Sequence, residues 1–216
     1  MKTKFDENGV TLIELLIALV ISGIIIAAIY RMFVAQTRSY TVQDQVAEVQ
    51  QNVRNAMERM LKDLRMAGAD DDRKDINDND VKPLAAITKP PAPNSITVHY
   101  EKDVGIIRHV TYSLNASNLV RNQNPADPGA DPAGDIILEN VTRFKLTYGV
   151  DYEPISMVWF NDRRLHGWVE AADVGIKNVV AVRVQLSASP ATDNPDVNAQ
   201  VSPRSLDTVV TIRNQL

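Results

Sequence analysis

The sequence predicts an α+β chain, with one long N-terminal helix followed by a mostly antiparallel β-sheet domain. Three observations carry this. From Val10 to Tyr30 an apolar run of 21 residues is interrupted by a single charge, Glu14. Apolar residues then recur at helical spacing as far as Leu64, and no Pro or Gly falls between Ile24 and Ala67. After residue 95, short runs rich in β-branched residues alternate with segments rich in Pro, Gly and Asn. Helical and strand signals are thus segregated along the chain, which favours α+β over an alternating α/β order.

Composition removes several functional classes. The 216 residues carry a net charge of −4. A dedicated nucleic-acid binder would show a basic surface, so no nucleic-acid partner is inferred. There is no cysteine, which excludes disulfides, thiol nucleophiles and cysteine-ligated zinc. A domain outside the cytoplasm must then hold by its core alone.

The first element is a membrane segment. Leu15 to Tyr30 contains no formal charge, and a span needs about 20 mostly apolar residues. A cleaved secretory signal would be shorter and end in a small-x-small site, whereas this run continues Ala27-Ala28-Ile29-Tyr30-Arg31. A plain signal anchor has no use for Glu14, because a carboxylate in a span is costly and usually functional. The alternative is that Glu14 stays hydrated, since it enters the run by about 6 Å of helix. Lys2 and Lys4 before the span balance Arg31 and Arg38 after it, so charge does not set the orientation.

The string Gly9-Val10-Thr11-Leu12-Ile13-Glu14-Leu15-Leu16-Ile17-Ala18-Leu19 resembles the processing site of type IV pilins and type II secretion pseudopilins. In that family a hydrophilic leader ends in Gly, and an apolar helix follows with Glu at its fifth position. The resemblance implies cleavage between Gly9 and Val10 by a prepilin peptidase, and N-methylation at Val10. It also implies an assembly role for Glu14, paired with the terminal amine of a neighbouring subunit. Physical reasons stand beside each position. Gly9 offers a backbone without a side chain. An opposite charge offsets part of the burial cost of Glu14, and a lone buried polar group can set register. The first mature residue is most often Phe in that family, and here it is Val10.

The helix continues beyond the span. Val42, Val46, Val49, Val53, Met57, Met60 and Leu64 form one apolar stripe at spacings of three and four. Gln43, Asp44, Glu48, Arg54, Glu58 and Lys62 occupy the opposite face. Such a stripe fits a helix packed on a sheet, with a coiled coil as the alternative. Residues 36–41 read as a polar neck, Ser22-Gly23 as a weak point, and Gly68 as the stop. From Thr11 to Ala67 the helix would be roughly 85 Å long.

A second resemblance begins here. Arg54 to Gly68, with Leu61-Lys62-Asp63-Leu64-Arg65-Met66-Ala67-Gly68 at its end, is similar to the close of the long helix in PilW-type minor pilins. Tyr148-Gly149-Val150-Asp151, after the strand-like run from Val141, is similar to a later block of that family. J-type pseudopilins of type II secretion share the layout. The implied fold is type IV pilin-like.

Strands are expected at Ile96–Tyr100, Ile106–Leu114, Leu119–Arg121, Ile136–Leu138, Val141–Tyr148, Met157–Phe160, Gly167–Val169, Val179–Leu186 and Thr208–Arg213. Asn115-Ala116-Ser117-Asn118 is a turn, and Asn161 to His166 joins a hairpin. Lys89–Asn94, Asn124–Gly134 and Ser189–Pro203 are loops.

Little chemistry is legible. Six aspartates crowd residues 70–80, and Asp75, Asn77 and Asn79 start like a calcium loop. Position six is Asp80 rather than Gly and position twelve is Ala86 rather than Glu, so a solvated acidic loop is favoured. Asp75, Asn77 and Asn79 are thus weak calcium candidates, and no metal or cofactor is expected. His99, His109 and His166 look scattered. No nucleophile elbow, phosphate loop or dinucleotide fingerprint is present, so no enzyme is expected. Trp159, Phe160 and Trp168 read as packing residues.

The resemblances imply a minor pilin with a leader at 1–9, a transmembrane half-helix at 10–30, an amphipathic half at 31–68 and a β-rich periplasmic or extracellular domain at 69–216. It would start in the bacterial inner membrane and end in the pilus at the cell surface. Implied partners are the prepilin peptidase, other minor and major pilins, the inner-membrane assembly platform and a tip adhesin. A J-type pseudopilin and a signal-anchored periplasmic binding domain are the alternatives.

Overall fold

The computed structural model describes residues 9–69, 86–89, 91–103, 106–123, 134–151, 165, 167–175, 178–190 and 201–212. Helix α1 spans Leu12–Met66. It contributes to two compact units, residues 1–44 and 45–216.

In the first unit α1 presents its apolar residues outward. Leu15, Leu19, Ile24 and Ile29 are among the exposed large side chains. α1 is the one element among the described residues long and apolar enough to cross a membrane. Some of its hydroxyls in this stretch bond back to the helix. Ser22 Oγ donates to the Ala18 carbonyl at 2.6 Å, and Thr37 Oγ1 donates to that of Phe33 at 3.0 Å. Such internal bonds are what a backbone-rich, water-poor environment requires of a polar side chain. The helix passes through Ser22-Gly23 without a break. The expected polar neck is helical and exposed.

In the second unit the remainder of α1 buries Val49, Val53, Ala56, Met57, Met60, Asp63 and Leu64. The expected stripe is therefore the packed face from Val49 onward, while Val46 is half-buried. Gly68 stops the helix with φ of 74°, the left-handed geometry that glycine adopts without a Cβ penalty.

Among the described residues eight strands follow: β1 (Ser95–Asp103), β2 (Ile106–Asn115), β3 (Asn118–Gln123), β4 (Asp135–Leu138), β5 (Val141–Asp151), β6 (Gly167–Val169), β7 (Asn178–Ala188) and β8 (Arg204–Thr211). They form two four-stranded sheets, ordered β1-β2-β3-β4 and β6-β5-β7-β8, with every pairing antiparallel. A short helix α2 (Ala171–Val174), with no signal in the sequence pattern, joins β6 to β7. The last strand starts four residues earlier than expected, at Arg204, because its register with β7 runs back to Ala188. The expected strand Met157–Phe160 and most of its hairpin lie outside the described residues.

Alternation sorts each sheet into two faces. Ile96, Val98, Tyr100, Val110, Tyr112 and Leu119 point inward from the first sheet; Phe144, Leu146, Tyr148, Val182, Val184 and Leu186 do so from the second. With α1 they make one hydrophobic cluster. The outer edge of β1 is not open. Gly68 N–H donates to the His99 carbonyl and Glu101 N–H to that of Ala69, both at 2.8 Å. His99 N–H donates to the Ala86 carbonyl and Thr88 N–H to that of Thr97. The chain on either side of the acidic stretch thereby covers an edge that would otherwise invite pairing. The two sheets are stitched where Val141 N–H donates to the Ser117 carbonyl at 2.7 Å.

Candidate functional site

The N-terminal candidate is built on the first turn of α1. Thr11 precedes the helix and Glu14 is its third residue. Glu14 Oε2 accepts from Thr11 N–H at 2.8 Å and from Thr11 Oγ1 at 2.9 Å. Glu14 N–H donates back to Thr11 Oγ1 at 3.3 Å. This reciprocal pair is a capping box, which the sequence reading passed over although Thr-x-x-Glu was in view. It gives Glu14 a local partner within its own chain. The aspartate-free apolar run beyond it means no other described carboxylate lies on α1 before Asp44.

Gly9 has nothing within 4 Å of the position a Cβ would take. The described chain therefore makes no steric demand for glycine there. Val10 is 76% exposed. Gly9, Val10 and Glu14 lie together at the head of α1, as the spacing required. Asp75, Asn77 and Asn79 lie outside the described residues.

A second polar centre was missed by sequence reasoning. Asp63 projects from the apolar face of α1 and is buried, as is Arg121 on β3. Asp63 Oδ2 accepts from Arg121 Nε at 2.8 Å and from Tyr112 Oη at 2.6 Å. Its Oδ1 accepts from Tyr100 Oη at 3.3 Å. Arg121 Nε also donates to Tyr112 Oη at 3.1 Å, and its guanidinium lies 6.0 Å from the Tyr112 ring centre. Burial, then the charge of Asp63, pushes the Tyr112 hydroxyl well above the ordinary tyrosine range. Burial pulls Arg121 down, but hydrogen bonding to Asp63 and its charge more than offset that, and the guanidinium stays cationic. Every oxygen is used within the cluster, so it anchors α1 to the first sheet. The signal was available: Asp63 is three residues after Met60 and seven after Ala56, on the buried side of the helix.

The histidines also differ from expectation. His99 and His109 are direct cross-strand partners, not scattered residues; their separation of ten positions spans the β1–β2 hairpin, so only the strand register brings them together. Trp168 meets the packing expectation, with the Arg183 guanidinium 4.9 Å from its ring centre. It also borders Gly149, where an added Cβ would lie 3.1 Å from Ala181 Cβ. Trp159, Phe160 and His166 lie outside the described residues.

Residues 4–30 match the family model described as the prokaryotic N-terminal methylation motif. A prepilin-type motif thus heads the one helix among the described residues that is long and apolar enough to cross a membrane, which fits a single-pass membrane-anchored pilin. Among solved structures, the chain is similar to a type IV-like pilin from Thermus thermophilus, at 11% identity and a TM-score of 0.42, covering 76% of this chain and 95% of that one. No curated protein matches the chain.

Proposed function

We propose that this protein is a minor pilin of the PilW type, acting in the initiation of type IV pilus assembly within a tip complex. The observation that carries the reading is the head of α1: a prepilin-type motif with Glu14 at the fifth position after Gly9, leading an apolar surface that its own unit leaves exposed. An exposed apolar helix is stable in lipid, and afterwards only among other apolar helices. Its contribution is binding rather than catalysis.

In this reading residues 1–9 are the leader, 10–30 the span, 31–68 the amphipathic half of the helix and 69–216 the exported β-rich domain. The prepilin peptidase cuts between Gly9 and Val10 and methylates Val10. Cleavage removes nothing from the Thr11–Glu14 box, but it creates a cationic amine one residue before Thr11. Glu14 then exchanges its local partner for the amine of a neighbouring subunit. The inner-membrane platform, other minor and major pilins and a tip adhesin are the partners. No metal or cofactor has a part in this role.

The first test is the intact mass and N-terminal sequence of the chain from native membranes. A start at Val10, methylated or not, is expected; a start at Met1 in cells with active peptidase overturns the pilin reading and favours a signal-anchored domain. Deletion of the gene then separates the two assembly roles. Lost piliation supports the pilus, whereas lost exoprotein secretion with normal pili supports a J-type pseudopilin.

A further inference from the structure

An unassigned cluster lies on the outward face of the first sheet. His99 on β1 opposes His109 on β2, with their Nδ1 atoms 2.5 Å apart. The rings meet edge to face, with centroids 4.4 Å apart and planes at 83°. Thr88, on the segment that covers the edge of β1, places Oγ1 2.6 Å from His99 Nε2. The next pair on the same face, Thr97 and Thr111, joins its hydroxyls at 2.9 Å. Both histidines are half-buried.

Two imidazole lone pairs cannot face each other at that separation. In the neutral pair, one ring must donate a proton to the other. The same convergence suits a second electrophile. We propose that His99 and His109 form a cross-strand site for a divalent transition ion of borderline softness, zinc above all, with Thr88 as the outer partner of His99. Imidazole nitrogen suits zinc, copper(II) and nickel. At the usual Zn–N length a tetrahedral pair needs about 3.3 Å between nitrogens, so the rings must part by under about 1 Å. Small rotations within their rotamer wells provide that.

Binding balances without a change of charge on either ring. The proton between the two Nδ1 atoms moves to Nε2 of its own ring, leaving both imidazoles neutral and both Nδ1 lone pairs on the ion. Nε2–H of His99 then donates to Thr88 Oγ1, the outer-shell bond that fixes ring and tautomer in metal sites. Among the described residues no third His, Asp or Glu joins the pair, so water completes the coordination and affinity is modest. The site stands independently of the pilus reading.

The chain has three histidines, so nitrogen-15 labelling of histidine in the full chain in detergent micelles yields three imidazoles to follow. On titration with zinc chloride, two are expected to move together along a single curve for one ion per chain. His99→Gln and His109→Gln should each weaken binding at least about tenfold, and Thr88→Val about tenfold, the lower range for an outer-shell partner. His166→Gln should leave the titration unchanged. Imidazoles that do not move up to about 1 mM zinc, or movement confined to His166, would overturn the proposal. So would zinc binding equally well to the His99→Gln and His109→Gln variants. The wild-type spectrum decides the matter even if a variant fails to fold.

Discussion

Asp63 on α1 and Arg121 on β3 form a 2.8 Å ion pair with side chains only 8% and 5% exposed, across 58 residues of sequence. Tyr112, from the strand between, donates to the same carboxylate oxygen. Burying two charges costs several kcal/mol each, and the geometry must return it. Here both carboxylate oxygens accept, and the packing partner of the cation is an aromatic ring.

Removing one partner should therefore cost more than removing both. Asp63→Leu or Arg121→Met alone should destabilise the domain by about 3–5 kcal/mol, because each strands a buried charge. The double variant should be less destabilised than either single one. Urea unfolding followed by tryptophan fluorescence measures all four corners of the cycle, and strictly additive losses would contradict the role assigned to the pair.

Thr11 and Glu14 separate helix capping from assembly. Thr11→Val removes the hydroxyl that donates to Glu14 and accepts from its N–H. Glu14→Ala removes the carboxylate and with it the bonds from Thr11 N–H and Thr11 Oγ1, but keeps the backbone N–H that donates to Thr11 Oγ1. If Glu14 acts between subunits, Thr11→Val should leave piliation near normal while Glu14→Ala abolishes it, with both chains inserted and cleaved. Equal losses in the two variants would reduce Glu14 to a cap.

His99 should make the domain sensitive to mild acid. Burial, and then the neighbouring His109, holds its pKa below the ordinary value of 6.5. An imidazole lowered in this way favours the folded state when neutral. That contribution is complete above pH 6.5 and is lost as pH falls through the lower folded value. With chelator present, Tm should be level above about pH 7 and fall below it. His99→Gln should flatten this part of the profile.

Ala116 occupies the β2–β3 turn with φ of 50°, a region in which an L-residue with a Cβ is strained. Ala116→Gly should raise stability by about 1 kcal/mol, less the greater freedom glycine has when unfolded. A rise in Tm with unchanged circular dichroism is the expected result; a fall would show that the alanine methyl packs usefully.

The helix and seven of the eight described strands stood close to where the pattern put them because their periodicities are local. A stripe at three and four predicts a helix before any partner is known, and Gly68 marks its end through its own backbone freedom. The division into two sheets was not legible. Strand pairing joins β5 to β7 and β7 to β8, and no run of residues announces which neighbour it will choose. Helix α2 has four residues, too few to show a period.

The candidate sites divide in the same way. Gly9, Val10 and Glu14 lie within six residues of one another in the chain, so covalent order alone holds them together, and the motif was complete before the fold was known. By itself the sequence determined the apolar span, the helix that continues from it, the processing motif and the absence of cysteine chemistry. Only the tertiary structure decided that Asp63 would meet Arg121 and that His99 would face His109. Each of those pairs depends on register and on burial, which belong to the packed chain and not to any segment of it.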